Sequence, residues 1–258
     1  MATALVTGAS SGIGLAFATE LARRGDDLVL VARDAARLDD VASQLHNRYG
    51  RQVTTLPADL AVREDVQRVA DRLADPQQPV DLLVNDAGFA DHDSLLADDL
   101  SPHERAVDVM ITATLVLAGT AARAMKARGH GGIINLGSAN AFLYADNYSA
   151  VKAWVVAYTE ALAAELKGTG VQACVSCPGW VKTAFHERAG LSRPHVPGWA
   201  FTPAPVVART ALADLAAGRV ISVPTAKWKL AVTALQYLPR PAVRRISKAI
   251  AGGHKEAS

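Results

Sequence analysis

Short apolar runs alternate with helix-length segments along most of the chain, and this alternation limits the fold more than any other feature. The runs are rich in Val, Leu and Ile without polar alternation, which is typical of strands covered on both faces of a sheet. The predicted strands are 2–7, 27–32, 52–57, 80–84, 132–136, 171–176 and 219–223. The predicted helices are 12–24, 34–49, 61–74, 101–128, 147–168 and 203–217. This pattern predicts a doubly wound α/β domain around a parallel sheet of about seven strands.

Residues 1–225 are predicted to be a single domain, because no repeat, low-complexity tract or linker interrupts them. Half of the 258 residues are hydrophobic and 20% are charged, which allows a full core and excludes a disordered or fibrous chain. No apolar run reaches the length that spans a bilayer, and the first residues predict a strand rather than a signal peptide. Two cysteines cannot form a disulfide framework, so we expect a cytoplasmic protein.

A glycine-rich turn follows the first predicted strand and opens the first predicted helix. Its sequence is Thr7-Gly8-Ala9-Ser10-Ser11-Gly12-Ile13-Gly14. Glycines allow the turn to tighten and a phosphate to approach the backbone, where unpaired N–H groups and the helix dipole favour an anion. The spacing is GxxxGxG, and no Gly-Lys-Ser/Thr of a P-loop follows. The turn is therefore predicted to bind a phosphate, against the alternative of a turn that binds nothing.

Three further motifs lie in order along the chain. Asn85-Asp86-Ala87-Gly88 ends the fourth strand, Tyr148-Ser149-Ala150-Val151-Lys152 lies on the helix after the fifth, and Pro178-Gly179 follows the sixth. With the glycine-rich turn, these motifs resemble those of the short-chain dehydrogenase/reductase family, over residues 2 to about 222. The resemblance implies a single-domain Rossmann-like fold and an oxidoreductase that interconverts a carbonyl and a secondary alcohol with a nicotinamide cofactor.

The catalytic roles follow from this resemblance. Ser138 is expected to hold the substrate oxygen, Tyr148 to pass the proton, and Lys152 to bind the nicotinamide ribose and lower the pKa of Tyr148. Tyr148 and Lys152 are four residues apart and so share a helix face. A free Tyr titrates near 10, so a base working near pH 7 needs a pKa lower by about three units, roughly 4 kcal/mol. A neighbouring ammonium and the oxidised nicotinamide would both lower it.

Two departures from the family pattern concern this machinery. Met110 stands where the family usually carries a catalytic Asn, and Met has no hydrogen-bond donor. Asp108 could substitute only if the helix register shifts. Ser138 and Tyr148 are ten residues apart, closer than is usual, so the loop between them must reshape the pocket wall. These departures motivate an alternative function, a non-catalytic or weakly active dinucleotide-binding or scaffold protein of the same fold.

The resemblance also implies a set of cofactor contacts and a choice between cofactors. The implied contacts are Gly8, Ser10, Ser11, Gly12, Ile13, Gly14, Asp59, Leu60, Asn85, Ala87, Gly88, Tyr148, Lys152, Pro178, Gly179, Val181 and Thr183. Arg33 follows the second strand where an NAD-selective site usually carries Asp or Glu, and a guanidinium there can pair with a 2′-phosphate. We therefore predict NADP(H) over NAD(H), with Arg33 as a further contact. In the alternative, Arg33 is a solvated surface residue and Asp34 caps the next helix. Asp86 replaces the usual Asn and has no explanation at this level.

The substrate is predicted to be a small apolar or lipid-like molecule. Residues 184–205 are rich in Gly, Pro and aromatic residues, which is typical of a substrate lid over an apolar pocket. The candidate substrate contacts are Phe142, Tyr144, Trp180 and Phe185. For Phe142 and Tyr144 the alternative is packing beneath their loop, and for the lid it is a packed surface loop.

No metal site is predicted. Cys174 and Cys177 form a CxxC in or at the end of a strand, where residues three apart point to opposite faces. The nearest histidines, His186 and His195, lack the spacing of a zinc site. We therefore predict two buried structural cysteines. The family resemblance further implies a homo-oligomer, a dimer or tetramer formed through the long helices 101–128 and 147–168.

Residues 226–258 are predicted to be a basic amphipathic helical extension. From Lys227 onward there are seven basic residues and one acidic residue, whereas the rest of the chain is mildly acidic and does not suggest nucleic-acid binding. Apolar residues recur at helical spacing over 228–238 and 243–250, with Pro239 and Pro241 between them. Such a helix can lie on an anionic membrane. Packing beside the lid or on another subunit is favoured, because the helices are short and poor in aromatic residues, and peripheral membrane contact is the alternative.

Overall fold

A seven-stranded parallel sheet forms the centre of the computed structural model, which describes residues 2–90, 93–182 and 198–255. Its strands are β1 (Thr3–Thr7), β2 (Asp27–Ala32), β3 (Val53–Pro57), β4 (Leu82–Asn85), β5 (Gly131–Leu136), β6 (Val171–Ser176) and β9 (Ile221–Ser222). The strand order is β3-β2-β1-β4-β5-β6-β9, and every pairing is parallel. A separate pair joins β7 (Val181–Lys182) to β8 (Thr202–Pro203). The predicted doubly wound parallel sheet is confirmed.

Helices cover both faces of this sheet. They are α1 (Gly12–Arg24), α2 (Ala35–Tyr49), α3 (Arg63–Ala74), α4 (Ser101–Val107), α5 (Ala113–Arg128), α6 (Asn147–Glu165), α7 (Ala204–Ala216), α8 (Ala226–Tyr237) and α9 (Arg240–Lys255). The predicted helix 101–128 is interrupted by a π-helical turn, Asp108–Thr112. Most of the predicted lid, residues 184–197, lies outside the described residues, and α7 begins at Ala204, directly after its N-cap residue Pro203.

The two faces of the sheet bury separate apolar clusters. Leu5 of β1 packs on one face with Val69 of α3 and Leu117 of α5, whereas Val6 packs on the other face with Phe17 of α1. Successive strand residues point to opposite faces, so a strand covered on both sides must be apolar at consecutive positions. The strand order reverses direction between β1 and β4, and a crevice opens at the carboxyl ends of the strands at such a point.

One described segment, Ser101–Arg128, is long and apolar enough by length and composition to cross a membrane. In this fold 56% of its most apolar stretch is buried within the protein, where Leu117 and Met125 pack in the core. The segment is therefore a core helix of the domain.

The C-terminal extension packs on its own domain. Val232 of α8 and Val243 and Ser247 of α9 are buried, and the Ser247 hydroxyl accepts a hydrogen bond from the backbone N–H of Tyr144 at 2.9 Å. Residues 238–239 separate α8 from α9. Pro241 lies in the first turn of α9, where its missing N–H breaks no helical hydrogen bond. In the described residues the extension thus contacts its own domain, and packing beside the lid or on another subunit stays a prediction.

Candidate active site

A cavity of about 1500 Å³ lies at the carboxyl ends of the strands and is lined by residues from all four sequence motifs. The predicted site residues in its lining are Gly8, Ser10, Ser11, Gly12, Ile13, Arg33, Asp59, Leu60, Ala87, Gly88, Ser138, Tyr148, Lys152, Pro178, Gly179, Trp180 and Val181. Residues as far apart in the sequence as Gly8 and Val181 therefore face one cleft. Thr183 and Phe185 lie outside the described residues.

The glycine-rich turn has the geometry of a phosphate cradle. Gly8 and Gly12 have φ of +68° and +62°, which only glycine adopts without strain. A Cβ at Gly14 would overlap the carbonyl oxygen of Gly8, so a glycine is needed there for the close packing of the turn on α1. Gly14 is absent from the cavity lining. The N-cap residue Ser11 makes no capping bond with its side chain. The first turn of α1 therefore presents backbone N–H groups and a helix dipole that fit a dinucleotide phosphate.

Two arginines stand at the end of β2. Arg33 and Arg37 are both exposed and both line the cleft, and Arg37 Nε donates a hydrogen bond to the carbonyl oxygen of Ser10 at 2.7 Å. The Asp34 carboxylate caps α2 by accepting from the Arg37 backbone N–H at 3.0 Å. The carboxylate of Asp34, which directly follows Arg33, is thus engaged in capping α2. Arg37 was not predicted from the sequence, because Arg33 precedes the helix and helical spacing therefore does not relate the two residues.

Asp59 is anchored to the helix across the cleft. Its two carboxylate oxygens accept hydrogen bonds from Arg105 of α4 at 3.0 and 2.8 Å, and one of them also accepts from the Ala61 N–H. Burial acts to raise the pKa of Asp59, but the hydrogen bonds from Arg105 and Ala61 outweigh it and lower that pKa below its ordinary value. Asp59 and Leu60 are held in the wall where the sequence predicts them, and Arg105 is a supporting residue that the sequence did not indicate.

Asn85 lies in the core instead of the cleft. Its Nδ2 donates to Asn135 Oδ1 at 2.9 Å, and Asn135 Nδ2 donates to the Thr159 hydroxyl at 3.0 Å. This buried chain joins the ends of β4 and β5 to α6. The predicted cofactor contact of Asn85 is thus replaced by a supporting role, because the amide is satisfied behind the cleft wall.

Ser138, Tyr148 and Lys152 converge in the cleft. Ser138 follows β5, and α6, capped by Asp146, carries the other two residues. The Tyr148 hydroxyl is hydrogen-bonded to the Ser138 side chain. The Lys152 Nζ donates to the carbonyl oxygen of Leu136 at 2.7 Å and lies 5.6 Å from the centroid of the Tyr148 ring. The structure thus brings the three predicted catalytic side chains together.

Burial and neighbouring charges shift the pKa values of the side chains in this cluster. Burial raises the pKa of Tyr148 well above its ordinary value, and the hydrogen bond from Ser138 only opposes this. Burial lowers the pKa of Lys152 to about 8, although the charge of Asp86 acts to raise it. The lowering of the Tyr148 pKa that the family resemblance implies involves the Lys152 ammonium and the oxidised nicotinamide together, and it stays a prediction.

Met110 packs under the cleft from the π-helical turn. It is 1% exposed, and a Cβ at Gly88 would lie 3.0 Å from its sulfur and 3.7 Å from the Lys152 Nζ. Asp108 is exposed and absent from the cavity lining, so it does not take the place of the missing Asn. Met110 therefore occupies the space beside Lys152 with an apolar side chain.

The predicted substrate contacts Phe142 and Tyr144 lie outside the cavity. Phe142 packs with Val155 and Val232 in a cluster beneath the extension, and Tyr144 is 55% exposed. The loop forms a 3-10 turn over Ala139–Phe142, and its other residues, Asn140 and Leu143, face the cleft. The loop does shape the pocket wall, as the sequence predicts, but through different side chains.

Trp228 of α8 completes this wall, together with residues after β4. Its ring lies against Gly179, where any Cβ would overlap it, and its Nε1 donates to the carbonyl oxygen of Ala200 at 3.1 Å. Other apolar lining residues that the sequence did not indicate include Phe89, Ala90, Leu95, Leu96 and Leu143. Trp228 had no sequence signal for the site, because its helical spacing only indicated packing.

Both cysteines are free and buried, and they belong to clusters on opposite faces of the sheet. Burial raises the pKa of both thiols to about 12. Within the described residues, no group of three or more His, Cys, Asp or Glu side chains could hold a metal ion. Cys174 and Cys177 are therefore protonated structural residues.

The model of the short chain dehydrogenase family matches residues 2–193. The chain belongs to this family of oxidoreductases. It is similar to galactitol 2-dehydrogenase (L-tagatose-forming) of Cereibacter sphaeroides, with 38% identity over 70% of this chain and 72% of that one.

Solved structures of the same family superpose on most of the chain. A short-chain dehydrogenase from Sphingobium yanoikuyae in complex with NADPH has 32% identity and a TM-score of 0.83, over 92% of this chain and 94% of that one. A bulky-bulky ketone specific alcohol dehydrogenase from Comamonas testosteroni has 28% identity and a TM-score of 0.78, over 93% and 96%.

Proposed function

We propose that the protein is an NADP(H)-dependent oxidoreductase that interconverts a carbonyl and a secondary alcohol on an apolar substrate. The observation that carries this proposal is the meeting of Ser138, Tyr148 and Lys152 in the cleft that begins at the glycine-rich turn. The bound nicotinamide would supply or accept the hydride.

Each side chain has a role that its contacts support. The Ser138 hydroxyl, already bonded to Tyr148, holds the substrate oxygen beside the phenol. Tyr148 donates its proton to that oxygen as a carbonyl is reduced, and its raised pKa keeps the proton available until then. Lys152, fixed by its bond to the Leu136 carbonyl, holds the nicotinamide ribose and keeps a positive charge near the phenol.

NADP(H) is favoured over NAD(H) by the charge at the end of β2. Arg33 and Arg37 both line the cleft there, and the Asp34 carboxylate is engaged in capping α2. Two guanidinium groups suit a 2′-phosphate, whereas an NAD-selective site needs a carboxylate for the ribose hydroxyls. The Sphingobium yanoikuyae relative, which is in complex with NADPH, supports the same choice.

A bulky apolar ketone is the substrate class that the wall favours. Leu143, Trp180 and Trp228 line the same cleft as the catalytic side chains. Phe89 and Leu95, from the segment that follows β4, line it as well. The Comamonas testosteroni relative is specific for bulky-bulky ketones. Such walls bind apolar groups and leave orientation to a few polar atoms, here Ser138 and Tyr148.

A cofactor-oxidation screen tests the proposal. Purified protein is assayed with NADPH and with NADH against bulky ketones, aldehydes, steroids, long-chain acyl carbonyls and polar sugars. We expect wild type to oxidise NADPH with bulky apolar ketones. A Trp228→Ala variant should lose the preference of wild type for these ketones over the other substrates. Binding of NADPH without oxidation by any substrate would favour the alternative, a non-catalytic dinucleotide-binding protein.

The substitution Met110→Asn tests the departure from the family pattern. We expect unchanged or higher kcat, because an amide beside Lys152 would restore a polar group to the site. The free energy of unfolding should fall by about 1–3 kcal/mol, because a polar group enters an apolar core position. Met110→Leu, which conserves volume and polarity, is the matched control for packing. A fall in kcat in both variants, with stability retained, would instead assign the thioether a direct role.

We also propose a homo-oligomer in a reducing compartment, the cytoplasm. Two buried free thiols suit such a compartment. Exposed Leu115 on α5 and exposed Val107 on α4 lie on the helices through which the family resemblance implies association. Light scattering of the purified protein would contradict the oligomer if it gave the mass of a single chain.

Packing of the extension predicts that the protein does not bind membranes. Trp228 and Val232 are directed at the domain, although Leu230 and Tyr237 are exposed and Arg244 and Arg245 add positive charge. We expect no flotation with anionic vesicles at low salt. Flotation that an Arg244→Ala/Arg245→Ala variant loses would support the membrane alternative. Substitution is preferable to truncation before Lys227, because truncation would expose the cluster under Trp228.

A further inference from the structure

The carboxyl group of Asp86 lies against two glycines of the glycine-rich turn. A Cβ at Gly8 would lie 3.0 Å from its Oδ2, and one at Gly14 would lie 2.7 Å from the same oxygen. The Gly14 backbone N–H donates a hydrogen bond to this carboxyl group. The family usually carries an uncharged Asn here, so the carboxyl is a feature of this chain that the proposed catalysis leaves unexplained.

The surroundings of Asp86 make its charge dependent on what occupies the cleft. The charged group that acts on Asp86 is the Lys152 ammonium on α6, and the Asp86 carboxylate in turn acts on Tyr148 of the same helix, whereas α1 and the turn contribute backbone groups and glycines. A phosphate held by the turn would add negative charge close to the carboxylate. The repulsion between two nearby negative charges disfavours the ionised form of the carboxylate. Once Asp86 is protonated, the positive charge of the Lys152 ammonium is no longer neutralised by it and attracts an anion more strongly.

We propose that Asp86 takes up a proton when a dinucleotide binds, and that this carboxyl thereby couples cofactor affinity to pH. The inference rests on the proposed function. A protonated carboxyl still has an oxygen that accepts the Gly14 N–H bond, so the turn keeps its support in both states.

A carboxyl group with an ordinary pKa stays ionised at neutral pH, so it would not take up a proton on binding. The burial of Asp86 changes this. Burial raises the pKa of Asp86 to about 7, against the opposing effects of Lys152 and the Gly14 N–H. A nearby anion raises it further. Proton uptake on binding is therefore expected above pH 7, and the affinity for NADPH should fall as pH rises from 7.

Titration calorimetry with NADPH tests the proposal. Binding is measured at pH 7.5 in HEPES and in Tris, whose different ionisation heats report the number of protons taken up. We expect wild type to take up about half a proton more than Asp86→Asn. Between pH 7 and 8.5 the Kd of wild type should rise about fivefold more than that of the variant. Asn keeps the oxygen that accepts from Gly14, and the 2′-phosphate of NADPH titrates in both proteins, so the difference isolates Asp86.

The Lys152 ammonium also titrates near this range, so the same comparison is repeated in a Lys152→Met background. A proton difference that persists there supports assignment to Asp86. Equal proton numbers for the Asp and Asn forms in both backgrounds would overturn the inference while leaving the cofactor assignment intact. Absence of NADPH binding to wild type would overturn both the inference and the proposed function.

Discussion

The variant Tyr148→Phe is expected to lose at least about 100-fold in kcat, the lower end of what a positioned acid–base group contributes. The ring is retained, and the change removes only the hydroxyl that is bonded to Ser138. The Lys152 Nζ keeps its bond to the Leu136 carbonyl, so the ribose site should remain in place. NADPH binding, followed by fluorescence, should change less than twofold in Kd.

Tyr158→Phe is the matched control for this experiment. Tyr158 lies on the same helix, and its hydroxyl contacts the Leu115 carbonyl oxygen at 3.4 Å, away from the cleft. The control should keep wild-type kcat, which separates loss of the proton donor from any general effect of removing a hydroxyl from α6. Turnover that survives in Tyr148→Phe would exclude Tyr148 as the proton donor.

The second large effect is expected at the cofactor. Arg33→Ala should weaken NADPH binding by about 1.5–3 kcal/mol, roughly 10- to 150-fold in Kd, which is the range for a hydrogen bond to a charged partner. NADH binding should be nearly unchanged, because NADH lacks the 2′-phosphate. Arg37→Ala should weaken NADPH binding less, because Arg37 already donates to the Ser10 carbonyl.

Arg48→Ala on α2 is the control for loss of one positive charge. Its guanidinium lies over the Tyr49 ring at the far end of the helix and does not line the cleft. Both cofactors should bind this variant as they bind wild type, as measured by calorimetry at fixed ionic strength. Equal losses of NADPH and NADH affinity in Arg33→Ala would show that Arg33 does not contact the 2′-phosphate.

The fold was predictable because its determinants are local. Consecutive apolar positions such as Leu5 and Val6 indicate a strand that is covered on both faces, and Gly8 and Gly12 mark a turn with positive φ. The π-helical turn at 108–112 was not predictable, because an inserted residue in a helix leaves no periodic signal over so few positions.

The site was predictable where its residues belong to contiguous motifs, and less so where distant elements meet. Tyr148 and Lys152 share a helix face by spacing alone. In contrast, the position of Asn85 outside the cleft depends on residues from two other elements. Its amide donates a hydrogen bond to Asn135, which in turn donates one to Thr159. Such partners depend on tertiary packing, which sequence spacing does not report.

The loop after Ser138 shows the same limit at short range. A 3-10 turn decides that Asn140 and Leu143 face the cleft while Phe142 faces the extension. Aromatic composition indicated an apolar pocket, but the orientation of each ring depends on backbone geometry and on the cluster around Val232. The raised pKa of Tyr148 was likewise beyond the sequence, because it depends on how deeply the phenol is buried.

The position of Trp228 has a consequence for how such a protein diversifies. One wall of the cleft is supplied from the end of the chain, about fifty residues after the Gly179 that it covers. Exchange of the segment from residue 226 onward between relatives would therefore change the shape of the pocket while leaving Ser138, Tyr148 and Lys152 untouched. We expect chimaeras joined at this point to inherit their chemistry from one parent and their substrate range from the other.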